Sequence, residues 1–373
     1  MALLILCDPR YRNNNWCETK LRGIYDEAAR RRMPVKLYTD LSAFASVAAK
    51  LGSDSSVIVL FNSMKYLAEV AEVLAPMAIH PILSVTESEI RFPRVYSQVC
   101  GDVDSATGEL VQFLHAKGKR RIMLIGVSQN SAAGRNKIEM IRRHVPKGEY
   151  AVIYDEQGNL TKSFEAFLPV REQFDAVVCT NDHQAIALVE FLQAHGAYDP
   201  SLYIISHGDT ILARLYGDGI TTISTGFYAC GKAMVEAHFH RLKYNWSTVM
   251  IRVHCEFRAR GSTSGAGTYP TLPFIPPHAN QAGLSRLECV LADCDLANLK
   301  LIFGLLSDYS YEHMGELCFL SAGAVKYRVQ QMRQALGCKS REEMTALLGR
   351  YLEKERLLHV IEEAEGIGGK IFG

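Results

Sequence analysis

The sequence lacks an excess of charge of one sign, long apolar runs and paired cysteines. Its 41 lysines and arginines balance 40 aspartates and glutamates, so the formal net charge is +1 over 373 residues. No apolar run is long enough to cross a bilayer, and the first residues carry no basic leader. The ten cysteines stand singly, without the spacing of zinc ligands. These absences predict a cytoplasmic protein with reduced thiols, no metal or other cofactor, and no membrane association.

Motifs of phosphate-binding and hydrolytic enzymes are also missing. Asp8-Pro9-Arg10 follows the first predicted strand, where a glycine-rich phosphate loop would stand. The G-x-S-x-G pattern of serine hydrolases is absent from the sequence. The sequence therefore predicts a binding protein and not an enzyme.

Short apolar segments alternate with amphipathic segments through the first 264 residues. The predicted strands are Leu3–Cys7, Val35–Tyr38, Val57–Phe61, Ile82–Val85, Arg121–Ile125, Ala151–Tyr154, Ala176–Thr180 and Tyr203–Ser206. Strands that alternate with helices predict an α/β fold, in which parallel sheets are covered by helices on both faces. A break after the fourth strand divides the series, so we expect two lobes with a ligand-binding cleft between them.

Five short segments carry the residues and the order of a known sensor fold. They are Leu21–Ile24 with Glu27-Ala28, Lys119–Ile122, Cys179–Asp182 with Ala185, Thr221–Ile223 with Phe227 and Gly231, and Arg258 with Ser262-Thr263. In these residues the chain resembles the type I periplasmic-binding fold used by sensors of the lactose-repressor (LacI) family. The resemblance implies a bilobal ligand-sensing domain at 1–264. Its lobes would be about 1–102 plus a returning segment, and 103–225.

The same resemblance, together with the predicted strand ends, gives candidate ligand-binding residues. They are Asp8, Tyr11, Trp16, Asn62, Arg135, Asn181, His207, Asp209 and Phe227. Aromatic faces combined with amide and carboxylate groups suit a sugar or related polyol. Arg135 leaves an anionic or phosphorylated ligand open, and a cleft that binds nothing is a further alternative. Trp16 could instead be a core residue, and Asn181 could simply cap the following helix.

A proline-rich segment follows the predicted sensor domain. Residues 265–283 hold four prolines, a composition that predicts a semi-extended linker and not a helix. We therefore expect a separate helical domain at 284–373. Its last helix, from Arg341 to Glu365, is one candidate surface for dimerisation.

The segment from Ser321 to Arg341 predicts a DNA-recognition helix. It holds five basic residues and no acidic one. Helical spacing places an apolar stripe of Val325, Val329, Met332 and Leu336 opposite a polar face with three glutamines. Cations neutralise phosphates, and glutamine can pair with an adenine edge in the major groove.

Two short predicted helices, Leu299–Leu306 and Tyr311–Leu317, precede Ser321, which is a good N-cap. Ser321, Val325, Lys326, Leu336-Gly337 and Ser340-Arg341 follow in an order that resembles the LuxR/GerE-type helix-turn-helix. The resemblance covers about Asp295 to Leu352 and implies DNA binding. The candidate DNA-binding residues are Ser321, Gly323, Lys326, Tyr327, Gln330, Gln331, Arg333, Gln334 and Lys339.

These observations predict a ligand-responsive transcription regulator. A small-molecule effector would bind in the cleft between the lobes, and the protein would bind DNA as a homodimer. Two alternatives stay open at this point. One is a sugar-binding receptor without DNA binding, and the other is a sensor whose helical C-terminus docks a protein partner.

Overall fold

The computed structural model describes residues 2–52, 55–84, 92–155 and 158–366. The strands in these ranges are β1 (Leu3–Cys7), β2 (Val35–Tyr38), β3 (Ser56–Leu60), β4 (His80–Ser84), β5 (Ser97–Gly101), β6 (Ile122–Val127), β7 (Tyr150–Tyr154), β8 (Ala176–Cys179), β9 (Tyr203–Gly208), β10 (Thr221–Ser224), β11 (Met250–Val253) and β12 (Phe257–Arg258).

The helices of the same ranges are α1 (Asn15–Arg30), α2 (Leu41–Ala48), α3 (Met64–Leu74), α4 (Val103–Ala116), α5 (Ala132–His144), α6 (Leu160–Phe167), α7 (Asp182–Ala194), α8 (Ile211–Leu215), α9 (Phe227–Lys243), α10 (Pro277–Ala292), α11 (Leu296–Leu306), α12 (Tyr311–Cys318), α13 (Ala322–Leu336), α14 (Arg341–Tyr351) and α15 (Lys354–Gly366). The chain divides into two compact units. They are Met1–Gly158 with Ile223–Phe257, and Asn159–Thr222 with Arg258–Gly373.

The first unit is built around a six-stranded sheet in the order β11-β5-β4-β3-β1-β2. All neighbouring strands in it run parallel. β1, β3, β4 and β5 are buried along their whole length, as expected of strands covered by helices on both faces. The carboxyl ends of these strands therefore lie at one edge of the sheet, where the loops that follow them meet.

Two helices of the first unit cross in backbone contact on one side of this sheet. A Cβ atom on Gly23 of α1 would lie 2.1 Å from the carbonyl oxygen of Tyr228, and one on Gly231 of α9 would lie 2.1 Å from that of Lys20. Only glycine allows this approach. The same unit also contains β6 and β7, which pair in parallel, and the helices α4 and α5.

The second unit combines β8 and β9, which pair in parallel, with α6 to α8 and with the C-terminal helices α10 to α15. α10 packs against both α7 and α13. The buried side of α13 is formed by Val325, Val329, Met332 and Leu336, which confirms the apolar stripe predicted from helical spacing.

The predicted α/β fold with parallel sheets and flanking helices is confirmed, together with a C-terminal region of several helices. The fourth predicted strand ends at Ser84, and Val85 lies outside the described residues. Two expectations about the C-terminal part are wrong.

The first error concerns residues 265–283, predicted to be free of helix. α10 starts at Pro277, because proline is well tolerated in the first turn of a helix, where its missing N–H is not needed. The extended residues before it are held in place by hydrogen bonds. Asp218 accepts from the backbone and side chain of Thr268, and Tyr198 donates to the carbonyl of Gly267 at 2.9 Å.

The second error concerns the helix predicted from Arg341 to Glu365. It is interrupted after Tyr351, where Leu352 adopts an extended backbone conformation. The amide of Glu353 then donates to the carbonyl of Leu215 in α8 at 3.0 Å. This contact from outside the helix satisfies an amide that a continuous helix would have used internally.

Candidate ligand-binding and DNA-binding sites

Polar residues follow the buried strands at the carboxyl edge of the first sheet. Asp8 comes directly after β1 and is completely buried. Its carboxylate accepts two hydrogen bonds from the guanidinium of Arg10, at 2.9 and 2.8 Å, and one from the amide of Arg10. The charge of Asp8 is therefore neutralised locally, so this residue would present little free negative charge to a ligand.

Three aromatic candidates and one lysine form a group in the first unit, which we call the aromatic cluster: Tyr11, Trp16, Lys20 and Phe227. The rings of Tyr11 and Trp16 lie 5.9 Å apart. The ammonium nitrogen of Lys20 lies 5.2 Å from the ring centre of Trp16 and 5.3 Å from that of Phe227. Lys20 is not among the residues predicted from the sequence, although its position four residues after Trp16 places both on one face of α1.

Asn62 follows β3 and holds the start of α5. Its side-chain oxygen accepts from the amide of Ala133 at 3.1 Å and from the hydroxyl of Ser131 at 3.3 Å. Its backbone oxygen accepts from the amide of Ala132 at 2.8 Å. These bonds satisfy amides of the first turn of α5. Arg135, in the same turn region, is exposed, and its Nε donates to the carbonyl of Gln129.

The three candidates of the second unit all have structural partners. Asn181 caps α7, accepting from the amide of Gln184 at 3.0 Å. His207 is buried, and its Nδ1–H donates to the carbonyl of Cys179 at 3.1 Å. Asp209 is paired with a set of three arginines, namely Arg214, Arg258 and Arg260. The capping alternative for Asn181 is thus present in the structure.

A buried carboxylate that the sequence analysis missed organises this part of the second unit. Asp182 is completely buried and accepts hydrogen bonds from the side chains of Ser206 and Thr222 and from the amide of Thr210. Burial raises its pKa. Gly208 has a φ of +148°, and a Cβ there would lie 2.7 Å from an oxygen of Asp182, which explains why a glycine stands at this position.

An ion pair joins the start of α7 to α10. The backbone amide of His183 donates to one carboxylate oxygen of Glu288 at 3.0 Å. The imidazole Nδ1 of His183 lies 2.8 Å from the other carboxylate oxygen. Burial disfavours the charged imidazolium, but the attraction and hydrogen bond of Glu288 outweigh it and raise the pKa of His183. The pair lies two residues from Asn181, so a candidate ligand residue and α10 are closely connected.

A second polar network joins α7 to α10 and α14. Glu190 accepts from Arg350 at 3.2 Å and from the side-chain amide of Asn280 at 3.0 Å. The hydroxyl of Tyr351 lies between Asn280 and Arg350. It is 2.8 Å from the side-chain nitrogen and 3.1 Å from the side-chain oxygen of Asn280, and 2.9 Å from Nε of Arg350. Burial raises the pKa of Glu190 despite its cationic partner. These side chains hold the C-terminal helices firmly against α7.

The polar side of α13 lies at the protein surface. Gly323, Lys326, Gln330, Gln331 and Gln334 are exposed. Ser321 caps the helix by accepting from the amide of Ala324 at 3.2 Å, and Gly337 ends it with a φ of +75°. Tyr327, on the same side of the helix, is 63% exposed. The side chains predicted to contact DNA therefore share one accessible surface.

The cations beside this surface differ in their partners. Arg328 donates to the carboxylate of Asp295 at 2.8 and 3.0 Å, so its charge is largely neutralised. Arg333 is half-buried and donates to the carbonyl of Lys339, past the end of the helix. Lys326 and Lys339 are exposed. Lys326 is consequently the residue of α13 best placed to neutralise a phosphate.

The described residues contain no cluster of His, Cys, Asp or Glu suited to a metal ion. None of the helices described above is both long and apolar enough to traverse a lipid bilayer. None of the ten cysteines forms a disulfide. Seven of them are buried, whereas Cys289, Cys318 and Cys338 are partly exposed.

Comparison with known proteins places the fold. Residues 111–263 match the family model of the periplasmic binding protein-like domain. No curated protein matches the chain. The chain is similar to solved structures of transcriptional regulators, and at their low identity this likeness establishes the fold alone. The protein therefore has an α/β fold of the type I periplasmic-binding-protein-like class.

Three of the similar structures contain a bound sugar. The transcriptional regulator CelR in complex with cellobiose is 16% identical over 70% of this chain and 84% of that chain, with a TM-score of 0.59. A LacI family transcriptional regulator from Enterococcus faecium with bound ribose is 16% identical over 70% of this chain and 99% of its own, with a TM-score of 0.56. The LacI family regulator CCPA from Weissella paramesenteroides with bound glucose is 16% identical over 70% and 98%, with a TM-score of 0.54.

Proposed function

We propose that the protein is a ligand-responsive transcription regulator that binds DNA through α13. The observation that carries the proposal is the exposed polar side of this helix. Three glutamines and Lys326 share it, while the opposite side is buried in the helical region. The succession of α12, a tight turn at Phe319, the serine cap at Ser321 and α13 supports the assignment of a helix-turn-helix.

The ligand of the proposed regulator is a small molecule of the sugar class. The aromatic cluster offers ring faces for sugar carbons, next to polar groups at the carboxyl edge of the first sheet. The sugars in the similar regulators support this assignment. We infer further that the protein works in the cytoplasm, where its thiols would stay reduced. We also infer that it acts as a homodimer, because helix-turn-helix proteins usually read two half-sites.

The proposal is tested by DNA binding of the full chain and of a double variant, Lys326→Ala with Gln330→Ala. The probe is the DNA upstream of the protein's own gene, and affinity is measured by fluorescence anisotropy at several salt concentrations. We expect the wild-type affinity to fall steeply with salt, and the double variant to bind at least about ten-fold more weakly with a smaller salt slope.

Lys162→Ala is the matched control, since Lys162 is an exposed lysine on α6. It should bind DNA like the wild type. Arg333 is left unchanged because it contacts the end of α13, so its loss would disturb the helix itself. Wild-type affinity in the double variant at every salt concentration would contradict the proposal.

A protein partner of the helical region is the second candidate function, and one observation favours it. Phe319, in the turn before α13, is 94% exposed, which is unusual for a phenylalanine. Under this alternative, Phe319→Ser would abolish the interaction, while the Lys326→Ala and Gln330→Ala double variant would retain it. If α13 binds DNA, the double variant should lose more binding than Phe319→Ser.

A further inference from the structure

A lysine ammonium lies inside the aromatic cluster, at the edge of the sheet where the strands end. Its nitrogen is flanked by the rings of Trp16 and Phe227 and donates to the hydroxyl of Ser84 at 2.6 Å. Ser84 is the last residue of β4 and is buried. Aromatic faces attract a cation, so the two rings and Ser84 together fix the position of the ammonium group.

The helix crossing keeps this arrangement rigid. Gly231 lies against the carbonyl of Lys20, so α1 and α9 touch through their backbones at this residue. Phe227 is the first residue of α9, one turn before Gly231, and Trp16 lies one turn before Lys20 in α1. The two rings are therefore presented from two helices that cannot slide apart without losing close contact.

The charge of Lys20 has no carboxylate partner among the residues that the structure describes. Burial lowers the pKa of Lys20, and the nearby thiols of Cys230, Cys17, Cys100 and Cys255 partly oppose this effect. Asp8, at the end of β1, is already paired with Arg10. An ammonium has three N–H donors, and within the described ranges only the one bonded to Ser84 has a hydrogen-bond acceptor, which leaves two for a bound molecule.

We propose that the ligand is a sugar acid, whose carboxylate binds Lys20 while its ring carbons pack against Trp16 and Phe227. This assignment rests on the proposed function, since it names the chemical class of the same small molecule. The two oxygens of a carboxylate match the two remaining donors, and a single negative charge balances the single ammonium. A phosphate dianion carries more charge and more acceptor oxygens than Lys20 alone can satisfy.

Calorimetric titration of the full chain tests the inference with matched probes. These are galacturonate and glucuronate, the neutral parents galactose and glucose, and glucose 6-phosphate. We expect the wild type to bind one of the acids at least about ten-fold more tightly than its neutral parent. Lys20→Met should remove this preference, because the methionine keeps the apolar contacts but not the charge.

Two further variants keep the test independent of folding. Lys50→Met, at an exposed lysine after α2, should retain the full preference. Lys20→Arg keeps the positive charge and should retain part of it. Circular dichroism and thermal unfolding check that each variant is folded.

Several results would overturn the inference. They are equal affinity for acid and neutral sugar, binding of the phosphate alone, no binding of either acid at millimolar concentration, and an unchanged preference in Lys20→Met. None of these measurements involves DNA. The salt-dependent binding of α13 can therefore succeed or fail separately, and the two failures are distinguishable.

Discussion

The pair of His183 and Glu288 gives the stability of the second unit a defined pH dependence. The pKa of His183 is raised in the folded chain above the ordinary value of 6.5. Its favourable contribution is then fully present below about pH 6.5 and is lost as the pH rises through the raised folded value. We predict that the destabilisation caused by Glu288→Gln is largest near about pH 6 and shrinks toward about pH 9.

Denaturant unfolding of the wild type and of Glu288→Gln across this pH range measures the difference. The amide of His183 donates to Glu288 at every pH, so a constant part of the effect should persist. His195→Gln is a suitable control, because this histidine bonds the carbonyl of Phe191 in its own helix and no carboxylate of the described part of the chain. A destabilisation that grew with pH would show that the charged pair has the opposite role.

For single residues, the predicted strand ends showed where polar side chains would gather. They did not show which of these side chains would already be bound to other residues of the protein. Asp8 and Asp209 were good candidates by position, yet both are held by arginines. Arg260 lies 51 residues after Asp209, and no local pattern shows that the two will meet. Lys20 is the converse case. Its importance comes from Phe227, more than 200 positions later, which only the helix crossing brings near.

At the scale of elements, one buried ion pair joins α14 to α7. Glu190 and Arg350 are both largely buried, and Asn280 and Tyr351 complete their hydrogen bonds. Removal of the cation alone would leave a buried carboxylate without its partner. We predict that Arg350→Met lowers the free energy of unfolding by about 3 kcal/mol. Hydrogen exchange should show faster opening of α14 than in the wild type.

The double variant Arg350→Met with Glu190→Gln separates the pair from the packing around it. It should recover part of the lost stability, because the uncompensated charge is gone. Arg142→Met, at an exposed arginine on α5, should change stability little. No recovery in the double variant would mean that Arg350 stabilises mainly through its aliphatic part or its other bonds.

Helices with local signals were predictable, and those shaped by distant contacts were not. Ser321 and Gly337 bound α13 as cap residues, and both can be read from the sequence. The interruption between α14 and α15 depends on Leu215, over one hundred residues earlier. The proline-rich segment contains no helix before Pro277. Its attachment through Asp218 and Tyr198 follows from side chains that no linker composition reveals.

For the molecule as a whole, alternation of strands and helices was enough to predict the fold class. Each apolar strand and each amphipathic helix carries its own periodicity, so the α/β architecture is encoded locally many times over. The proposed connection from the ligand-binding part to the proposed DNA-binding helix α13 rests on a single element, α10. This helix starts at Pro277, seven residues before the helical domain that was expected from residue 284, and its packing on α7 and α13 could not be anticipated.

That packing predicts how ligand binding would reach DNA. α10 contacts α7 near its start through Glu288 and contacts α13 on its other side. A shift of the start of α7 would therefore move α10, and with it the position in which α13 could meet DNA. We predict that Glu288→Ala leaves DNA affinity without ligand and sugar affinity without DNA nearly unchanged. In the wild type we expect bound sugar to change the DNA affinity about ten-fold. In Glu288→Ala this change should shrink to about two-fold or less.

Anisotropy titrations of DNA with and without a sugar that binds the wild type measure this coupling, and calorimetry with and without DNA must give the same factor. Glu165→Ala, at an exposed glutamate on α6, is the matched control and should keep the wild-type response. If Glu288→Ala responded as fully as the wild type, the signal would have to travel by another route. The network of Glu190 and Arg350, which also joins α7 to α10 and α14, would then be the contact to remove next.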